Sequence, residues 1–145
     1  MRKRKAKKIP KKRLDIPRPR NGGEWTEARF NSFIKSALRG ARWPQKYVCI
    51  RNAYVEDGLN PKTGRKCKLH QCPQCDNLFP QNQMVADHIE AVVGPEGFTN
   101  WDDYIRRLFC EADGFQAICK DCHNRITNHE KQTRKNLKSS QLKLL

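Results

Sequence analysis

Apolar residues at Phe30, Phe33, Ile34, Ala37, Leu38 and Ala41 follow the i, i+3, i+4, i+7 series of one helical face. The pattern predicts an amphipathic helix after Gly22-Gly23, with Thr26 as its N-cap and Trp25 stapled onto Phe30 one turn in. Arg29, Lys35, Arg39 and Arg42 fall largely on the other face, which reads as a solvated basic surface with phosphate contact as the alternative. Trp43-Pro44 ends this helix, and Pro44 can open a second short one through Tyr47, Ile50 and Tyr54. Gly58 and Asn60-Pro61-Lys62-Thr63-Gly64 then form a polar break, which sets the expected boundary between a helical segment, 24–60, and a second module, 61–145.

From Lys66 the helical period is replaced by short strands, the last of them Met84-Val85-Ala86-Asp87-His88-Ile89. A loop through Gly94-Pro95-Glu96-Gly97 leads to a helix over Trp101–Phe109, with its apolar stripe at 101, 104, 105, 108 and 109. Glu111–Gly114 is a turn, Phe115-Gln116-Ala117-Ile118 a buried strand, and a long basic helix runs from His123 to about Leu137. Helices and short strands segregate without a βαβ alternation or an internal repeat, so the expected fold class is α+β.

Charge adds an arm to this plan. The chain has 145 residues, 30 Lys or Arg and 15 Asp or Glu, for a formal charge of +15. Residues 1–20 carry eleven basic side chains, Arg2, Lys3, Arg4 and Lys5 among them, against the single acid Asp15. Prolines at 10, 17 and 19 and the lack of apolar side chains predict a disordered segment over 1–23. Such a strand releases counterions on meeting phosphate, which points to nucleic acid without specifying a sequence. Hydrophobic residues are 37% of the chain, below the roughly 45–50% of globular proteins, so the core is expected to be small. No apolar stretch approaches the ~20 residues of a membrane helix. The basic start runs into Ile9-Pro10 and more Lys, so no signal peptide is expected.

Seven cysteines, an odd number, fit a reducing compartment better than a disulfide framework. Cys72-Pro73-Gln74-Cys75 and Cys119-Lys120-Asp121-Cys122 are two CxxC knuckles with 43 residues between them. Four thiolates can close a tetrahedral shell around zinc and leave no open position, so the metal is expected to be structural and to staple two distant segments. Cys67 and His70 lie near enough to the first knuckle to be alternative ligands, whereas Cys49 and Cys110 read as core.

With the knuckles joined, His88 and His123 can be brought into one cleft on a ββα unit. Asp87 and His123 would share a divalent ion through a carboxylate oxygen and an imidazole nitrogen, leaving His88 as a base. Neighbours on a strand point to opposite faces, so Asp87 and His88 converge only where the strand end is bent or flared.

These pieces, in this order, resemble the HNH nuclease family, also called the ββα-metal or His-Me finger group. The matching residues are Cys72-x-x-Cys75, Asp87-His88-Ile89, Phe115-Gln116-Ala117-Ile118-Cys119-x-x-Cys122-His123, Thr127 and Glu130. From Trp25 onward the chain looks like free-standing phage HNH proteins, including the Phe30–Arg39 helix and Gly97-Phe98-x-x-Trp101-Asp102-x-Tyr104-Ile105.

The resemblance implies a zinc-stapled ββα-metal module that hydrolyses DNA phosphodiester bonds, by nicking or double-strand cleavage. His88 would be the general base and Asp87 and His123 the ligands of a catalytic divalent ion, Mg²⁺ or another. Arg125, Lys131 and Arg134 would steer the phosphate backbone by their position. It also implies double-stranded DNA as partner, the bacterial host cytoplasm as location, and a homing, packaging or host-DNA-degrading role as a monomer or weak dimer, with phage packaging proteins as candidate partners. The family's middle Asn is replaced by Gly114, so the bracing of the base-bearing loop would pass to Asp113 or to the backbone at 114. Ile126 stands where relatives often carry Lys. Thr127 falls one turn after His123, where some members place another metal-binding His, and His129 reads as a surface residue. The alternative is a zinc-containing nucleic-acid-binding protein with a degenerate HNH site, and beyond it an RNA-binding protein related to basic ribosomal zinc proteins.

Overall fold

The computed structural model describes residues 16–143, and the chain divides at Arg42/Trp43 into two compact units. The basic residues at 2–5 lie outside the described residues.

In the first unit the amphipathic series forms α1, Glu27–Gly40, capped as expected by Thr26, whose hydroxyl accepts from the Arg29 N–H at 3.2 Å. Residues 20–23, the end of the stretch from 1 to 23 expected to be disordered, instead form a turn with Glu24 and Trp25. Arg20 and Trp25 exchange backbone hydrogen bonds of 3.2 and 3.0 Å around Asn21, Gly22 and Gly23, all three in the left-handed region. The two glycines take that conformation without a Cβ penalty. Arg20 then reaches Glu27 with two 3.0 Å hydrogen bonds and lies over the Phe30 ring at 4.5 Å. Trp25 packs on Phe33, with ring centroids 5.4 Å apart. No residue of α1 is buried.

In the second unit Pro44 opens α2, Pro44–Asn52, and Tyr54 already belongs to the next strand. Strands β1 (Tyr54–Leu59), β2 (Lys66–Gln71) and β3 (Leu78–Pro80) form an antiparallel sheet in that order. The polar break expected as a module boundary at 60/61 is the tip of the β1–β2 hairpin. Asn60 closes it, its N–H bonding Arg65 O at 2.8 Å and its carbonyl accepting from Gly64 N at 2.8 Å. A Gly is needed there because φ at Gly64 is +67°.

A second antiparallel pair joins β4 (Met84–His88) to β5 (Phe115–Cys119). Its register sorts the side chains. Met84, Ala86 and His88 share a face with Cys119, Ala117 and Phe115, whereas Val85 and Asp87 share the other with Ile118 and Gln116. Met84, Phe115, Ala117, Ile118 and Cys119 join Cys49 of α2 and the knuckle cysteines 72 and 122 in the small buried core.

Between these strands, α3 (Trp101–Leu108) is capped by Asn100, whose side chain accepts from Asp103 N at 2.8 Å. It buries Tyr104 and Leu108. The last helix, α4, runs from Lys120 to Lys143, three residues earlier than expected and longer at its far end. Its early start has a cause in the knuckle: the Cys119 sulfur accepts from Cys122 N at 3.4 Å, an N-cap made by sulfur. The architecture is thus α+β with small antiparallel sheets, and among the described residues no helix is long and apolar enough to cross a membrane.

Candidate functional site

The first knuckle is a tight turn between β2 and β3. Cys72 N bonds Asn77 O at 3.0 Å, Asp76 N bonds Cys72 O at 2.8 Å, and Asp76 sits at φ +58°. The second knuckle bridges the end of β5 and the first turn of α4. Together they bring the sulfurs of Cys72, Cys75, Cys119 and Cys122 within 4.8 Å of one another, with Cys75 and Cys119 4.0 Å apart. Tetrahedral thiolates about 2.3 Å from zinc lie about 3.8 Å from each other, so this donor set fits a metal such as zinc with little movement.

The surroundings favour thiolate at Cys72, whereas burial raises the Cys119 thiol. Burial pushes the Cys72 thiol up, but backbone N–H groups, that of Cys119 first at 3.3 Å, outweigh it and bring it to about 7. Arg125, one turn into α4, donates to the Cys122 sulfur at 2.8 Å. Cys67 and His70 are not in the cluster. His70 is buried on β2 beside Tyr54, its ring 6.1 Å from the tyrosine ring, and its Nδ1 has no hydrogen-bond partner. Burial raises the thiols of Cys49, a core residue, and Cys110, which is half-buried.

On the other face of β4, Asp87 Oδ1 lies 3.6 Å from His123 Nε2, the two side chains 17% and 33% exposed. Two ligands in adjacent octahedral positions at about 2.1 Å from a Mg²⁺ lie about 3.0 Å apart, so the pair needs to close by only a fraction of an ångström to share a cation. Among the described residues no third Cys, His, Asp or Glu completes a group with them.

His88 sits on the opposite face of the strand from Asp87, as the pleat requires. Its ring packs on Phe115 at 4.6 Å between centroids, and its Nε2 is 3.0 Å from the Leu108 carbonyl. A carbonyl only accepts, so Nε2 is the donor in this contact. The loop after His88 is braced by the backbone at 114: Ile89 N donates to Gly114 O at 3.0 Å. No side chain fits at 114, because a Cβ there would stand 2.7 Å from Cys110 Sγ and 2.9 Å from Cys110 Cβ.

Of the other expected contact residues, Arg134 pairs with Glu130 at 3.7 Å, Lys131 is exposed on α4, and Arg125, also exposed, donates to the Cys122 sulfur. His129 is exposed. Two residues with no assigned role stand at the site. Gln116 Nε2 donates to Asp87 Oδ2 at 3.1 Å, and Gln74, between the first two cysteines, donates to Gln116 Oε1 at 3.3 Å. The pairing of β4 with β5 was the signal that would have found Gln116, since it lies directly opposite Asp87. A cavity of about 870 Å³ between α2, β1 and β5 is lined by Cys49, Tyr54, Asp113 and Gln116 among others, and by none of Asp87, His88 or His123.

No family model, curated protein or solved structure matches this chain.

Proposed function

We propose that this protein is a divalent-cation-dependent DNA endonuclease of the HNH type. The observation that carries the reading is the 3.6 Å approach of Asp87 Oδ1 to His123 Nε2 on a strand–strand–helix unit, with His88 next in sequence. Asp87 and His123 would hold a divalent cation, which when bound supplies positive charge to the scissile phosphate and the departing 3′ oxygen. His88 would act as the base that takes a proton from the attacking water, its ring oriented by the Leu108 carbonyl at Nε2. Because β4 turns His88 away from Asp87, the attacking water would have to reach the base past the end of the strand. The formal charge of +15 favours the polyanionic substrate, with duplex DNA as the intended one.

The four-cysteine cluster in this reading holds a structural zinc. It ties the β2–β3 turn to the β5–α4 junction and so places His123, the residue after Cys122, against Asp87.

A specific observation favours a second reading, a zinc-containing nucleic-acid-binding protein that does not cut. His88 is on the opposite face from the cation pair and already engaged at Nε2. Plasmid nicking with Mg²⁺, with and without EDTA, decides between them. Nicking that needs the cation and is lost in His88→Ala and Asp87→Ala supports the nuclease. DNA binding equal to wild type in all three proteins, with no nicking by any, supports the binding module.

A further inference from the structure

We propose that Gln116 is a positioning residue for the Asp87 carboxylate and that Gln74 holds Gln116 in turn, so that the first cysteine knuckle sets the geometry of the Asp87–His123 cation site through two side-chain amides. The proposal rests on the reading of Asp87 and His123 as cation ligands.

The register of the β4–β5 pair puts Gln116 directly across from Asp87, on the same face of the sheet. Its Nε2 donates to Oδ2 of Asp87 at 3.1 Å, and this ties down one carboxylate oxygen. The other oxygen, Oδ1, is the one directed at His123 Nε2. A carboxylate that turned freely about its last bond would present either oxygen to the cation, in a range of directions. One held at Oδ2 presents Oδ1 alone.

The direction of the amide is fixed by chemistry at both ends. The Asp87 carboxylate only accepts, so the Gln116 NH₂ must face it. The Gln116 carbonyl is then left towards Gln74, whose NH₂ donates to it at 3.3 Å. Turning Gln116 over would set oxygen against carboxylate and NH₂ against NH₂. The donors therefore run in one direction, from Gln74 through Gln116 to Asp87.

Gln74 is placed by the metal cluster itself, being the residue before Cys75 in the turn that holds Cys72 and Cys75 against Cys119 and Cys122. The cluster thus acts on the cation site in two ways. On one side it delivers His123, adjacent to Cys122. On the other it orients Asp87, 42 residues of separation between Gln74 and Gln116 being bridged by a single hydrogen bond. Groups that orient metal ligands typically change affinity by about 10–100-fold when removed.

The test is Mn²⁺ binding by the zinc-loaded full chain, read from the electron paramagnetic resonance signal of free Mn²⁺, together with a thermal melt of each variant. Gln116→Met keeps the length of the side chain and removes both hydrogen bonds. It is expected to weaken Mn²⁺ by about 10-fold or more with the melt unchanged. Gln74→Met is expected to weaken it by a smaller factor. The double variant is expected to be no weaker than Gln116→Met, because Gln74 acts only through Gln116.

Gln116→Met binding Mn²⁺ within about twofold of wild type, while Asp87→Ala loses it, overturns the proposal and leaves the cation site standing. Additive losses in the double variant overturn the order of the relay. Wild type failing to bind Mn²⁺, or Asp87→Ala binding it like wild type, overturns the cation-site reading and this proposal with it. If Gln116→Met does not fold, the exposed Gln74→Met decides, and unchanged affinity there counts against the relay.

Discussion

Arg125 donates to the Cys122 sulfur at 2.8 Å from one turn further along α4, and it is the guanidinium that the knuckle holds closest. Four thiolates around a divalent ion leave two negative charges in a half-closed site. The hydrogen bond from Arg125 offsets part of that charge, and the same contact raises the pKa of Arg125 further. This residue was expected to steer DNA; one of its five N–H donors goes to sulfur, and the side chain is exposed.

Arg125→Met should therefore alter metal retention more than DNA affinity. Transfer of zinc to a chromogenic chelator is expected to speed up several-fold, with the slope of log DNA affinity against log salt nearly unchanged. A slope that drops by about one unit, with unchanged zinc transfer, would return Arg125 to the phosphate backbone.

Removing a thiolate has a larger consequence. Cys72, Cys119 and Cys122 belong to the small buried core, so the four-cysteine cluster and the hydrophobic cluster are one structure. Structural zinc contributes roughly 10–16 kcal/mol of apparent binding free energy that is also folding free energy. Cys75→Ser or Cys122→Ser, or chelation of the wild type, should abolish the cooperative melt of residues 43–145. A cooperative melt surviving chelation would remove zinc from the stability of this unit.

Much of the architecture was legible because it follows from local chemistry. The spacing of Phe30, Phe33, Ile34 and Leu38 identified α1, Thr26 its cap, and the two CxxC pairs the four-cysteine cluster. The 58–64 break misled because Asn60 and Gly64 look alike in a linker and in a hairpin turn. Only the partner strand tells them apart. The site was half legible. Asp87 and His123 meet, but the side on which His88 points is set by pairing register, which no single segment encodes. Gln74 and Gln116 were invisible for the same reason, being polar residues whose role exists only across the strand pair and the knuckle.

Gly114 offers a direct test of one departure from the HNH pattern. Placing at 114 the Asn of that pattern does not repair the site. Instead the Cβ would meet Cys110 Sγ at 2.7 Å and its Cβ at 2.9 Å, and relief of that clash would disturb the Gly114 O···Ile89 N bond next to His88. Gly114→Asn and Gly114→Ala should each cost about 1–3 kcal/mol by chemical denaturation. The cost should shrink in a Cys110→Gly background, since both close atoms belong to that side chain. Equal stability of Gly114→Ala and wild type would show that Cys110 moves aside freely.

The basic arm calls for a truncation that spares the fold. Residues 1–15 carry nine Lys or Arg and the acid Asp15, whereas Arg20 is tied to Glu27 and Phe30 at the start of α1. Deleting 1–20 would confound loss of charge with loss of that cap, so the deletion should end at Asp15. Each phosphate the arm neutralises contributes about 0.9 to the slope of log affinity against log salt. If the arm lies on DNA, the truncated protein should bind duplex DNA more weakly at low salt, with a slope shallower by several units, while the melt of the second unit stays as it was. Arg20→Ala in the full chain supplies the contrast, with the turn at 20–25 lost and the slope changed by at most about one unit. An unchanged slope on removal of 1–15 would take the arm out of the interface and leave the polyanion to the charged surface of α4.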